Sequence, residues 1–536
     1  MTLDEQATSL DHKAIVNLLT SHQQLTTSFD EISASYTEQS ARLAELSRQL
    51  EWLKRQLFGK KSERRLVDAD GRQLTLGDLR QEEAADADDG VVIAAHRRKR
   101  RKQPWDKAGE SNLHFDESVP MVEIRIPNPG LEASLGKGQV ISEKTTYRLA
   151  QRPGSFVIVK YTRSVVKDLA TGKLTCPPAP ASVLGKSFAD VSFLAGMVID
   201  KFRFYLPLYR QHQRLQAAGI RVGRSTLTSL VQRTADLLQP IYDAQLVSIV
   251  NSRVLTMDET PIRAGRKDHG KMKTGYFWPV YGDQNEIAFP FSPSRAGAMV
   301  REVLGEYCGV LISDGYQAYE NYAAQVNGVV HAQCWSHTRR HFLKAEGVEP
   351  RLTARALGYI RSLYEEEALL NKKGLSEAVK TQRRAEKCKP IVDEFFEWLE
   401  TVQSEQILVP SNPFAGAVGY ARAREPALRV FLEYPNVPVD TNHLEREIRP
   451  IALGRKNWMF CWTELGAANT GLFHSLIATC RMQGLDPYTY LVDVLQRVET
   501  HPAMEVEKLT PRLWKEHYAA DPMRSDIDPP VKNAVS

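Results

Sequence analysis

The chain has 536 residues, 42% hydrophobic, 25% charged and 8% aromatic, which at about 100–200 residues per domain is material for several domains with substantial cores. Lysine and arginine exceed aspartate and glutamate by only 70 − 65 = +5, which excludes nucleic-acid binding by bulk charge alone but not local basic patches. Six scattered cysteines exclude a disulfide scaffold and fit a reducing cytoplasm, and no stretch reaches the roughly 18 apolar residues of a membrane helix. Asp4, Glu5, Asp11 and Lys13 stand where an export signal needs an apolar run.

Residues 1–59 carry a heptad seam. Ile15, Leu18, His22, Leu25, Phe29, Ile32, Tyr36, Gln39, Leu43, Leu46, Leu50, Leu53 and Leu57 step by three and four, and all but His22 and Gln39 are apolar. We read an N-terminal coiled-coil helix through which the chain self-associates; one long amphipathic helix on the protein's own core has the same pattern. Residues 60–109 form a charged linker. It is acidic over 78–90 and then strongly basic at Arg97, Arg98, Lys99, Arg100, Arg101 and Lys102. Such a run is a solvated tail or a phosphate-contacting arm, and its place between domains favours the arm.

Residues 110–185 are expected to be β-rich. Val122, Ile124 and Ile126 alternate with charges, and residues 156–161 with a turn at Thr171-Gly172 suggest a hairpin. Residues 186–248 turn helical. One helix opens at Pro207, Gly219-Ile220 makes a turn, and a second helix starts at Arg224-Ser225-Thr226 with Ser225 as N-cap. With Arg221 and Arg224 beside the turn, the pair has a helix-turn-helix form, although generic helical hairpins share it.

From residue 249 to 342 strands and helices alternate. Apolar strands end at Asp258-Glu259 and at Asp314, which lie 314 − 258 = 56 residues apart. Strands over 276–281 and 287–291 and a helix over 295–304 are expected between them. Carboxylates at adjacent strand ends repel unless a hard divalent cation shares them; strand-end aspartates that merely cap turns look the same. A third group follows where a loop enters a helix at 440–450: Glu445 sits beside an apolar face of Leu444, Ile448 and Ile451, with Arg449 one turn on. Residues 343–436 look all-helical, over 363–370, 375–399 and 414–432, and the chain after 501 reads as a tail.

Together these motifs resemble a known family. Asp258-Glu259-Thr260, Ser313-Asp314-Gly315-Tyr316, Cys334-Trp335-Ser336-His337-Thr338-Arg339-Arg340, Glu445-Arg446-Glu447-Ile448-Arg449-Pro450 and Gly454-Arg455-Lys456-Asn457-Trp458 are similar to motifs of the DDE transposases of the IS-sixty-six insertion-sequence family. The resemblance spans about residues 40–500. It implies an α/β ribonuclease-H-like catalytic core over residues 249–342 and 437–500, interrupted by an all-helical insertion at 343–436, with Asp258, Asp314 and Glu445 as catalytic metal-binding residues. It implies two magnesium or manganese ions clamping the scissile phosphate. Partners would be terminal inverted repeats and target DNA, a second copy of the chain, and small accessory proteins of the same element. Glu259 and Glu447 rank below the triad.

Cys334 and His337 are two ligands too few for tetrahedral zinc, so they read as supporting residues of the core. Relatives carry paired cysteines around the β-rich segment, where this chain has only Cys176, so no zinc is expected. Arg339, Arg340, Arg446, Arg449, Arg455 and Lys456 are candidate DNA contacts. Trp458 either stacks on a base or is buried. Competing readings are a ribonuclease-H-like nuclease or junction resolvase, and a non-catalytic DNA-binding regulator.

Overall fold

The computed structural model of the chain describes residues 113–528, apart from 116, 118, 129–137, 153, 170–171, 269–270, 373–374, 406–411 and 458–459. The expected coiled coil over 1–59, the linker, the basic residues at 97–102 and Trp458 lie outside the described residues. Among the described residues, no helix is long and apolar enough to cross a membrane.

The first strands are β1 (His114–Phe115), β2 (Met121–Ile126), β3 (Gly138–Arg152), β4 (Ser155–Asp168) and β5 (Leu174–Thr175). Along β2 exposed and half-buried residues alternate, as its sequence dictates. β4 lies parallel to β2 and antiparallel to β3, and β5 pairs with β4. The expected hairpin across Thr171-Gly172 joins β4 to β5, and a longer one, joining β3 to β4, turns at Gly154. The β-branched content of β4 carries that strand through to Asp168, so the later turn only folds the chain back into β5.

Next come α1 (Val191–Phe202), α2 (Leu208–Ala217), β6 (Ile220–Arg221) and α3 (Arg224–Val250). Gly219, at φ +78°, makes the turn after α2. The expected N-cap Ser225 sits inside α3, and the cap position is Gly223, without a side-chain bond. The cause is β6: Ile220 and Arg221 pair with Phe115 and His114, which keeps the chain extended up to Gly223. α3 is 27 residues long and buries Leu227, Leu230, Leu238, Ile241 and Ile249 in the main core.

The chain continues through β7 (Val254–Met257), β8 (Thr260–Asp268), β9 (Lys271–Phe277), β10 (Val280–Gly282), β11 (Glu286–Ala288) and β12 (Phe291–Ser292) in succession. After α4 (Ala298–Leu304) come β13 (Gly309–Ser313), α5 (Gln317–Gln325) and β14 (Val329–Gln333). Five strands pair in the order β11-β10-β7-β13-β14, while β8, β9 and β12 form a separate small sheet. The two strands expected over 276–281 and 287–291 are each broken, at Pro279 and Pro290. Proline lacks the ladder N–H, so the chain leaves one sheet for the other at each break. Trp278 donates its amide to the Pro290 carbonyl (2.8 Å) and holds the two breaks together.

Both faces of the central sheet are covered, which explains its uninterrupted apolar strands. Leu255, Met257 and Leu311 pack toward α3 and the C-terminal helices, and Val254, Val310 and Ile312 toward the other face. That second face is covered by a helical layer that runs α6 (Trp335–Leu343), α7 (Pro350–Lys372), α8 (Glu377–Arg383, which buries no residue), a π-helical turn (Arg384–Cys388), α9 (Lys389–Glu405), α10 (Pro413–Arg422) and α11 (Glu425–Glu433). The single helix expected over 414–432 is two, because Pro426 opens α11 afresh. Arg384 is buried in the π-helical turn. It pairs with both oxygens of Glu367 and donates to the carbonyls of Phe431 (2.7 Å), Tyr434 (3.0 Å) and Val437 (3.1 Å). Every donor of this buried cation is engaged, the condition under which burying it is tolerable.

The chain then forms α12 (Asn442–Asn457), α13 (Glu464–Met482), α14 (Pro487–Arg497), a 3-10 helix (Ala503–Leu509) and α15 (Pro511–His517). The expected tail is instead packed through residue 528. Trp514 Nε1 (2.8 Å) and the Met523 amide (2.6 Å) both donate to buried Asp493, and Ser525 Oγ donates to Asp190 (2.6 Å). Leu509, Trp514 and Ile527 are buried too, but at spacings too irregular to show an apolar periodicity.

Candidate active site

β13 runs parallel to β7 with Val310 opposite Val254 and Ile312 opposite Thr256. Asp258 and Asp314, each just past its strand, therefore emerge at the same sheet edge. Each carboxylate caps its turn: the Glu259 amide donates to Asp258 Oδ1 (2.7 Å) and the Tyr316 amide to Asp314 Oδ1 (2.9 Å). Capping does not account for the electrostatics. Burial pushes the Asp258 carboxyl up to about 7, and the charges of Asp314, Glu259 and Glu445 add to the rise against the Glu259 amide bond.

Glu445 lies in the first turn of α12, and several ties fix the start of that helix. The Thr441 amide (3.3 Å) and hydroxyl (3.4 Å) donate to buried Cys334 Sγ at the head of α6, and the Trp335 amide donates to the Val439 carbonyl (2.9 Å). His443 Nε2 shares a hydrogen bond with Thr256 Oγ1 of β7 (3.0 Å), linking α12 to the strand that ends in Asp258. Leu444 and Ile451 are buried against the β8–β9 hairpin, with Ile448 partly buried beside them. The Glu445 carboxylate forms an ion pair with Arg340 of α6, and His337 Nε2 lies 3.8 Å from it. Burial, and then the charge of Arg340, lower the His337 pKa, so at neutral pH that contact is not an ion pair. Cys334 and His337 thus face different partners.

Among the described residues, no three or more His, Cys, Asp and Glu side chains gather closely enough to hold a metal ion. The three carboxylates act on one another electrostatically, but Glu445 is turned to Arg340. The donor chemistry nevertheless suits a hard divalent cation. It is all oxygen, and Asp258 is held partly protonated by burial and by neighbouring carboxylates whose repulsion a cation relieves.

Sequence reasoning missed the residues that hold these carboxylates. Glu259 is nearly buried, bound by Arg295 Nε (3.0 Å) and Tyr319 Oη (2.9 Å). The helix expected from Arg295 begins at Ala298, leaving Arg295 in a loop where its guanidinium lies 4.4 Å from the Tyr316 ring. Glu447 turns away from Glu445, toward Arg481 at 3.9 Å. The only sequence signal for these partners was proximity to a motif, which Tyr316, Tyr319, Thr441 and His443 have and Arg295 lacks.

The described candidate DNA contacts fall into two sets. Arg221, Arg224, Ser225 and Thr226 surround the β6–α3 junction, with Arg224 5.8 Å from the Tyr209 ring. Arg339, Arg446, Arg449 and Lys456 are exposed on α6 and α12. Arg340 is engaged by Glu445, and half-buried Arg455 donates to the Pro261 carbonyl.

Comparison with known proteins gives three family matches: "Transposase IS66 family" over residues 186–469, "IS66 C-terminal element" over 475–512 and "Transposase C of IS166 homeodomain" over 45–109. The chain is also similar to proteins of Sinorhizobium fredii (strain NBRC 101917 / NGR234). "Uncharacterized protein y4hP" is 28% identical over 87% of this chain and 88% of its own length. "Uncharacterized protein y4jD" is 30% identical over 63% of this chain and 68% of its own length.

Proposed function

The chain belongs to the IS66 transposase family, and from that premise we propose that it cuts DNA at the ends of its own element and joins the 3′ ends to target DNA. The reading assigns Asp258, Asp314 and Glu445 as the carboxylates that hold two magnesium or manganese ions. The observation that carries it is the emergence of Asp258 and Asp314 from adjacent parallel strands at one sheet edge, with Glu445 close enough to raise the Asp258 pKa. A mixed sheet covered by helices on both faces supports a ribonuclease-H-like core, with residues 343–436 as a helical insertion.

When bound, the ions supply activation of the attacking oxygen and neutralisation of the leaving one. The chain's residues contribute position and charge. The strand register holds the two aspartates at a fixed spacing. Cys334, Thr441 and His443 fix the start of α12 and so aim Glu445. Arg340 binds Glu445 until a DNA phosphate competes for the guanidinium and releases the carboxylate toward the aspartates. Exposed Arg339, Arg446, Arg449 and Lys456 supply backbone contacts that set strand register without reading sequence. The Arg224 junction supplies end recognition.

The test is a cleavage and strand-transfer assay on labelled element ends with magnesium. We expect cutting at the ends and joining by the wild type. A protein carrying Asp258→Asn, Asp314→Asn and Glu445→Gln that still cuts in a metal-dependent way overturns the assignment. Cutting of branched junctions alone points to a resolvase, and a gel shift without cutting to a regulator.

A further inference from the structure

Gly315, next to Asp314, lacks the left-handed backbone that usually demands glycine. Its requirement is space. A Cβ there would stand 2.7 Å from Tyr420 Oη and 3.0 Å from Arg424 Nε, both from the helical layer at α10–α11. Arg424 Nη2 donates to the Gly315 carbonyl (3.2 Å). Its guanidinium lies 4.0 Å from the Tyr420 ring centroid, and the His341 ring stacks on Tyr420 at 3.9 Å and 11°. One ring cannot accept two such neighbours on one face, so His341, Tyr420 and Arg424 form a sandwich from α6 to the Asp314 turn.

We propose that Arg424, backed by Tyr420, is a positioning residue for Asp314. The helical insertion then does more than cover the sheet, because it seats the turn that aims one of the carboxylates. The proposal rests on the metal-binding reading above. It also separates from a simple charge effect. An arginine beside a carboxylate competes with a bound cation, so removing only its charge tightens metal binding. Removing a brace loosens it, by about 10-fold, as loss of outer partners of metal ligands does.

The test measures Mn2+ affinity of the full chain by calorimetry without DNA, together with thermal melting and the cleavage kcat and KM. Arg424→Ala is expected to weaken Mn2+ binding about 10-fold and lower kcat with little change in KM. Arg424→Lys is expected to recover less than half of the loss, since an ammonium cannot both lie flat on Tyr420 and reach the Gly315 carbonyl. Gly315→Ala, which crowds the seat while leaving every charge in place, is expected to repeat the loss and serves if Arg424→Ala fails to fold. Unchanged or tighter Mn2+ binding in Arg424→Ala overturns the brace, as does a rise in KM alone, the mark of a DNA-phosphate contact. Mn2+ binding that Asp314→Asn leaves intact instead overturns the metal-site reading, and the proposal with it.

Discussion

The two halves of the candidate site are built by different means. Asp258 and Asp314 stand at the ends of neighbouring strands, and the backbone register of β7 and β13 sets their spacing. Glu445 arrives on a helix after an excursion of 445 − 314 = 131 residues, and side chains set its place: Cys334, Thr441, His443, Thr256 and Arg340. The strand spacing of the sheet half is rigid because its bonds belong to a ladder that no single side chain controls, and its one proposed side-chain seat is Arg424 at the turn after β13. The helix half depends on a few identifiable contacts, so it can be moved by single substitutions.

The largest expected effect treats the halves alike. Asp258→Asn, Asp314→Asn and Glu445→Gln should each lower end cleavage by about 10³-fold or more while leaving end binding intact, measured by gel assay. A Glu445→Gln protein that retains near-normal cleavage removes the helix half from the chemistry.

Next come changes aimed only at the helix half. Thr441→Val and Cys334→Ala should lower kcat by roughly 10–100-fold and leave the Mn2+ affinity contributed by the aspartates within about 3-fold. Equal losses in both readouts would mean that the halves are not independent.

A smaller effect isolates the sheet half. The acid form of Asp258 is favoured in the fold, with the pKa raised from 3.8 to about 7. Its stabilisation is complete below the unfolded value and is lost as pH rises through 7. Without metal, Asp258→Asn should therefore gain stability over wild type between pH 4 and pH 8, by up to about 4 kcal/mol. Melting curves in chelator at the two pH values check this, and an equal difference at both removes the electrostatic account. Saturating Mn2+ should erase the advantage.

The smallest expected effect lies outside both halves. Arg449→Ala and Lys456→Ala should each reduce the salt slope of DNA binding by about 1 without altering cleavage of bound ends. A changed cleavage rate would place these cations in the site itself.

The same contrast explains what could be read from sequence. Continuous apolar strands ending in aspartate, and the Leu444–Ile451 face beside Glu445, are local patterns, and both are present in the fold. The ties that aim the carboxylates join residues far apart, such as Thr441 to Cys334 or Arg424 to Gly315, and leave no periodicity in either segment. Ser225 lost the cap position to a two-residue strand whose partner lies more than 100 residues away. Residues 503–528 looked like a tail because their buried apolar residues, Leu509, Trp514 and Ile527, are irregularly spaced and the segment is also anchored at the buried carboxylates of Asp493 and Asp190.

Arg384 has a consequence for the timing of biosynthesis. The three carbonyls it holds lie where the chain leaves the helical layer and turns toward α12. Glu445 follows this layer in the chain, so it is synthesised 131 residues after Asp314. A transcript that is truncated or frameshifted within residues 343–436 yields both aspartates without the third carboxylate. On the proposed reading, DNA-cutting capacity is a property of the finished polypeptide alone, and incomplete copies of the element produce chains that cannot cleave.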